Sequence, residues 1–352
     1  EEELARSLYH GSPYTADFEF AANSRLELLK LAFSRISPEI HTKIEEFCNA
    51  HPWCEAYTLY EAAKERFGGK PWYAWDEPFA RYETAVQHAR DLKAAQDFFK
   101  FVQYTAFTQW REIKQYANEN GVKILGDMPI YVSFDSADVW ENRQLFEIDD
   151  RTFIRKRVSG VPPDYFSEDG QLWGNPLYDW VAMRKDNYRW WCERIRAALQ
   201  LYDTVRIDHF RAFASYWAVP ADSDTAKNGV WEKGPGKALF DAVENELGEV
   251  PIVAEDLGVF GEDVVKLLED TKFPGMRVIQ FGFEPDADST HLPHNYPRNC
   301  LAYVGTHDYN TLLALRSTIA GLPATTGARA AFTALRAAKL LKPSGAVTPP
   351  SR

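Results

Sequence analysis

The sequence predicts an α/β protein in which a helical segment precedes a mostly parallel sheet. Three observations carry this reading. Apolar residues from Asn23 to about Asn120 recur three and four positions apart, the spacing of a helix face. After Gly121 short apolar runs alternate with long helical or loop stretches, as βα units do. Three of those runs end in carboxylates. A length of 352 residues accommodates one large domain with an insertion as well as two domains.

In chain order, residues 1–120 read as a helical subdomain. Arg25 to Phe33 and Phe98 to Tyr116 show the helical pattern most clearly, with breaks at Ser37-Pro38, His51-Pro52 and Gly68-Gly69-Lys70-Pro71. Residues 121–316 hold the expected strands, near Val122–Ile130, Thr204–Asp208, Pro251–Glu255, Arg277–Phe283 and Leu301–Thr306. These runs are apolar on both faces, which fits a sheet covered by helices. Residues 317–352 differ from the rest: they contain nine Ala and five Lys or Arg but no Asp, Glu or Trp. They read either as an Ala-rich helix over Ala328–Leu341 with a Pro-rich end, or as something other than the native continuation of the domain.

Composition narrows the function. Hydrophobic residues at 45% and charged residues at 26% are those of a globular chain with a sizeable core. A formal charge of -11 has the wrong sign for binding phosphates or an anionic membrane, so nucleic acid and membrane partners are not expected. The four cysteines, at 48, 54, 192 and 300, are too few for a disulfide framework and are expected to be reduced, buried thiols. No signal-like stretch opens the sequence and no apolar run approaches the roughly 20 residues of a membrane span, so a soluble cytoplasmic protein is expected. All 11 Trp lie between Trp53 and Trp231; they serve core packing or offer flat faces for sugar rings.

The candidate chemistry sits at strand ends. Asp208, Glu255 with Asp256, and Asp308 each close an apolar run, roughly 50 positions apart. In a parallel barrel all strand C-termini open onto one face, so these acids would converge. Each alone reads equally as a helix cap. Together they suit a divalent cation or acid–base chemistry. Arg206 precedes Asp208 by two, on the same face of a strand, where its charge would hold Asp208 ionised as a nucleophile requires. One ionised and one protonated carboxyl are what retaining glycoside chemistry uses. Asp208 would attack the anomeric carbon, Glu255 would act as acid and then base, and Asp308 would stabilise the distorted ring. His209 and His307 could donate to the same sugar.

Two stretches make a family resemblance specific. They are Gly126 to Trp140 (GDMPIYVSFDSADVW) and Gly160 to Tyr178 (GVPPDYFSEDGQLWGNPLY). With them the chain resembles the 4-α-glucanotransferases called amylomaltases or disproportionating enzymes, glycoside hydrolase family 77 of the α-amylase clan, from about Glu19 to about Leu313. The resemblance implies a (β/α)₈ TIM barrel, of which strands three to seven are visible here, with residues 1–120 as a helical insertion. It implies Asp208 as nucleophile, Glu255 as acid/base and Asp308 as transition-state stabiliser. It also implies Arg206, His209 and His307 as sugar-binding residues, and Tyr165, Phe166, Ser167 and Trp173 in a loop over the substrate groove. No metal or other cofactor is implied, and the partners are α-1,4-glucans and maltooligosaccharides with glucose as an acceptor. Oligomeric state is not legible.

The stretch 160–178 also reads independently as a functional loop, since its Gly160, Pro162, Pro163, Gly170, Gly174 and Pro176 argue against a regular element. Its aromatics would exclude water and stack an incoming sugar, or would simply pack. The chain departs from the family after Asp308, where Tyr309-Asn310-Thr311 stands for the usual Asn-Asp-Thr. Five strands cannot close an eight-stranded barrel. The expectation is therefore a fragment, poorly active or inactive by itself, of an active longer parent. The alternatives are an α-glucan hydrolase using the same acids, a non-catalytic glucan-binding remnant, and a carboxylate metal enzyme.

Overall fold

The computed structural model describes residues 4–5, 7–12, 14–164, 167–258, 261–283 and 289–307. Tyr165, Phe166, Asp308, Tyr309 and the segment 317–352, with its expected helix, lie outside the described residues. Contacts divide the chain into two compact units. The first comprises 1–124, 131–203 and 216–232; the second comprises 125–130, 204–215 and 233–352. Residues 131–203 and 216–232, which the sequence reading placed with the strands, thus pack with the helical segment.

In the first unit the expected helices form: α1 (Phe18–Phe33), α2 (Pro38–Ala50), α3 (Trp53–Arg66) and α4 (Lys93–Glu119). Local chemistry sets their ends. Asp17 accepts from Phe20 N at 2.9 Å to start α1, and Ser37, followed by Pro38, accepts from Ile40 N at 3.4 Å to start α2. After α3, Gly68 and Gly69 take φ of 64° and 79°, a left-handed region that ends the helix without a Cβ clash. The apolar stripe of α4 buries Phe98 and Phe101 against Ile44, Cys48 and Cys54. Cys48, Cys54 and Cys192 are buried thiols, the first two with sulfurs 3.1 Å apart. Cys300 departs from expectation in being only partly buried. Trp72, Trp75, Trp140 and Trp191 are buried in the core, whereas Trp173 and Trp231 are exposed.

An antiparallel sheet was not anticipated. Its order is β3 (Gln171–Pro176), β2 (Arg157–Val161), β5 (Ser215–Pro220), β6 (Val230–Lys233). The stretch 160–178 is therefore not an irregular loop throughout, because its two ends form a hairpin pairing Gly160 with Leu172 and Val161 with Gln171. The glycine density that suggested a loop has another cause: a Cβ on Gly160 would lie 2.6 Å from the Gln171 carbonyl. Arg157 ties the sheet together by donating to Glu147 and Glu232, each at 2.6 Å.

The second unit contains the five strands read from the sequence. β1 (Leu125–Met128), β4 (Thr204–Ile207) and β7 (Ile252–Ala254) form one parallel ladder in the order β1-β4-β7. β8 (Gly275–Val278) and β9 (Cys300–Tyr303) form a second parallel pair. β8 begins earlier than expected and passes into a 3₁₀ turn over Ile279–Phe283. Both faces of β7 are buried, as its unbroken apolar run requires, and β4 is buried from Val205 to Ile207 although Arg206 interrupts its apolar residues. Phe210, Phe213 and Phe240 pack together with ring centroids 5.1–5.7 Å apart, Phe240 coming from helix Lys237–Leu247. Among the described residues no helix is long and apolar enough to cross a membrane.

Candidate active site

Parallel pairing brings the strand ends into register. The ladder carries β1 beside β4 and β4 beside β7, and it continues past the strands, with Asp208 N donating to Met128 O at 2.9 Å and Glu255 N to Ile207 O at 3.0 Å. Four expected site residues, Arg206, Asp208, His209 and Glu255, are thereby brought together.

Arg206 is 8% exposed and organises the acids. Its Nη2 donates to Asp208 Oδ1 at 2.7 Å, and its Nη1 reaches both oxygens of Asp127 at 2.6 Å. Its Nε meets Met276 Sδ at 3.3 Å. The guanidinium is thus fixed from three sides, and Asp208 faces a charge-assisted donor. Asp127 and Met276 were not singled out from the sequence. Asp127 could have been, because it is an acid within a short strand, one residue before that strand ends, in register with Arg206.

Glu255 differs from Asp208 in being 8% exposed. Its Oε2 accepts from His209 N and its Oε1 from Leu257 N, both at 2.8 Å. Burial pushes its carboxyl up to about 7 and the Asp208 charge adds to the rise, outweighing the two backbone donors and Arg206. His209 adopts a left-handed φ of 50°, and its imidazole is pulled down to about 3 by burial and by Arg211. It is a neutral ring near pH 7, able to donate from one nitrogen and accept at the other.

His307 is exposed, four residues beyond β9 in the same unit, and Asp308 lies outside the described residues. Ser167 and Trp173 belong to the first unit. Ser167 builds the hairpin turn: its backbone N–H donates to Asp164 Oδ1 at 2.8 Å, and its Oγ donates to Gly170 O at 2.7 Å. Trp173 is 39% exposed on β3, with Tyr131 edge-on at 6.3 Å. Among the described residues no cluster of three or more His, Cys, Asp or Glu is arranged to hold a metal ion.

Fold and site define a class first: an α/β protein whose parallel strands end in two carboxyls, one held by a guanidinium and the other pushed toward its protonated form. Sequence comparison then gives the family. The chain belongs to the 4-alpha-glucanotransferase family, whose model matches residues 1–335. That range is wider than the stretch 19–313 carrying the recognised motifs, so residues 317–335 fall within the family match despite having no acids. A 4-alpha-glucanotransferase of Streptococcus pneumoniae serotype 4 is 49% identical over 264 residues, 74% of this chain and 52% of the relative. One from Clostridium butyricum is 42% identical over 293 residues, 82% of this chain and 60% of the relative. The structure is similar to an amylomaltase from Streptococcus agalactiae in complex with acarbose, with a TM-score of 0.88 and 35% identity, covering 96% of this chain and 68% of that one. The chain thus spans about half to three fifths of the length of these curated relatives.

Proposed function

We propose that this protein transfers α-1,4-glucan segments between maltodextrins by a retaining double displacement. The observation that carries the reading is the contrast between the two carboxyls: Asp208 sits on the Arg206 guanidinium, while buried Glu255 holds its proton to about pH 7. Asp208 attacks the anomeric carbon as Glu255 gives its proton to the leaving glycosidic oxygen, leaving a glucosyl ester on Asp208. An acceptor hydroxyl then gives its proton to Glu255 and attacks the same carbon, which frees Asp208. Asp308, His307 and His209 would bind sugar hydroxyls around the distorted ring. Tyr165, Phe166, Ser167 and Trp173 would cover the intermediate and seat the acceptor sugar, favouring transfer over hydrolysis. In the same reading β1, β4, β7, β8 and β9 are strands three to seven of a (β/α)₈ barrel, and free glucose serves as an acceptor.

Incubation with maltotriose tests the proposal. Glucose and maltodextrins longer than three units should both appear, and Asp208→Asn should remove both. Short products without longer ones would favour the hydrolase. Maltodextrin binding without turnover, unchanged by Asp208→Asn, would favour a binding role.

A further inference from the structure

The ladder that positions the site stops at β7. From there one backbone bond, Ala254 N to Pro274 O at 2.9 Å, reaches toward the next strand, and β8 pairs instead with β9. A side chain spans the seam. Asp256, 2% exposed, accepts from Met276 N at 2.5 Å through Oδ1 and from Arg277 Nη1 at 2.8 Å through Oδ2. The same carboxylate explains Gly275. A Cβ there would lie 2.7 Å from Asp256 Cγ and 2.8 Å from its Oδ1. Gly275 is not one of the residues with a positive φ, so glycine supplies room rather than backbone freedom.

Both halves of the site hang on this seam. Glu255 immediately precedes Asp256, and Met276, held by the Asp256 carboxylate, presents its sulfur to Arg206 Nε at 3.3 Å. We propose that Asp256 is a positioning residue: by pinning β8 to the end of β7 it sets the burial of Glu255 and the seat of Arg206, and through Arg206 that of Asp208. This rests on the reading of Glu255 and Asp208 as acid and nucleophile.

Among the described residues, the charged and titratable groups around Glu255 include Arg206, Asp208 and His209 from the β4 end, Asp127 behind Arg206, Arg277 across the seam, and Tyr303 on β9 near Arg206. Arg206 and the two backbone donors favour the carboxylate, whereas burial and Asp208 favour the acid. A loosened seam admits water and removes the largest force keeping Glu255 protonated.

Asp256→Asn and Gly275→Ala test this from opposite sides. The first removes an acceptor; the second keeps the charge and displaces the carboxylate. In both, the Glu255 titration, followed by NMR of ¹³C-carboxyl-labelled Glu, should move down by about one pH unit or more. The alkaline limb of maltotriose transfer should move with it, kcat falling about ten- to hundredfold with KM within about twofold. Circular dichroism and cooperative urea unfolding identify the folded variants, and if Asp256→Asn does not fold, Gly275→Ala decides. Folded variants with an unmoved Glu255 titration overturn the role. If the unmodified protein makes no longer maltodextrins, the proposed function falls, while the NMR titration still decides the role of Asp256.

Discussion

The backbone N–H of His209 donates to Oε2 of Glu255 at 2.8 Å, while Asp208, one residue earlier, accepts Arg206 Nη2 at 2.7 Å. A single bend of the chain therefore serves both carboxyls. The left-handed φ of 50° at His209 makes the bend possible, at a backbone cost of about 1–3 kcal/mol that the surrounding bonds offset.

Glu255 predicts a pH dependence of stability. Below the ordinary glutamate value it is protonated in folded and unfolded chains alike. As pH rises, the unfolded chain ionises first, so stability falls through the window up to about 7. The loss approaches, on the order of magnitude, 3 kcal/mol at its upper end. Thermal unfolding measured from pH 4 to 9 should show this decline, and Glu255→Gln should flatten it. Transfer activity should fall as pH rises through about 7, because the first step needs the proton.

Arg206→Lys should cost activity even with the charge retained. An ammonium cannot hold Asp127, Asp208 and Met276 in the fixed geometry of the guanidinium. We expect kcat for maltotriose transfer to fall about a hundredfold. Stability should fall by about 1–2 kcal/mol, less than for a fully buried pair, because both Asp side chains are nearly half exposed. Urea unfolding and steady-state kinetics check the two parts, and a variant with unimpaired kcat would remove Arg206 from the site.

Trp173→Ala should alter product choice more than stability. The indole is 39% exposed and donates from Nε1 to the nearby Gln171 side chain at 3.1 Å. Unfolding free energy should change by less than about 1 kcal/mol, while the ratio of hydrolysis to transfer products from maltotriose rises. An unchanged ratio would exclude Trp173 from the acceptor site.

Trp72→Ala should be among the most damaging substitutions in the first unit. Trp72 is fully buried, packs edge-on against Phe134 and Phe153, and donates from Nε1 to Phe134 O at 2.7 Å. A loss of about 3–5 kcal/mol is expected, measurable by urea denaturation.

The parallel strands were legible because burial on both faces leaves an apolar run, unbroken in β7 and interrupted by Arg206 in β4. The strand-end acids were legible because a carboxylate closing such a run stands out. The hairpin of β2 and β3 was hidden because Gly160 and Gly170, needed for close backbone approach, look like loop punctuation in sequence. Asp256 was read with Glu255 as an acid closing a strand, without a role of its own. Nothing local shows that its carboxylate turns to β8 and takes the space of a Cβ at Gly275.

The sequence by itself determined which residues form helices and parallel strands, which acids close those strands, and which family the chain resembles, since periodicity and motif are properties of neighbours along the chain. Tertiary structure alone decided that Arg206, expected beside Asp208, also reaches Asp127, that Asp256 bridges the seam beside β7, and that Glu255 holds its proton to about pH 7. Those outcomes depend on burial and on distant partners, such as Asp127, 79 positions from Arg206, and Met276, 20 from Asp256, and a carboxyl's affinity for its proton is set by what surrounds it in space.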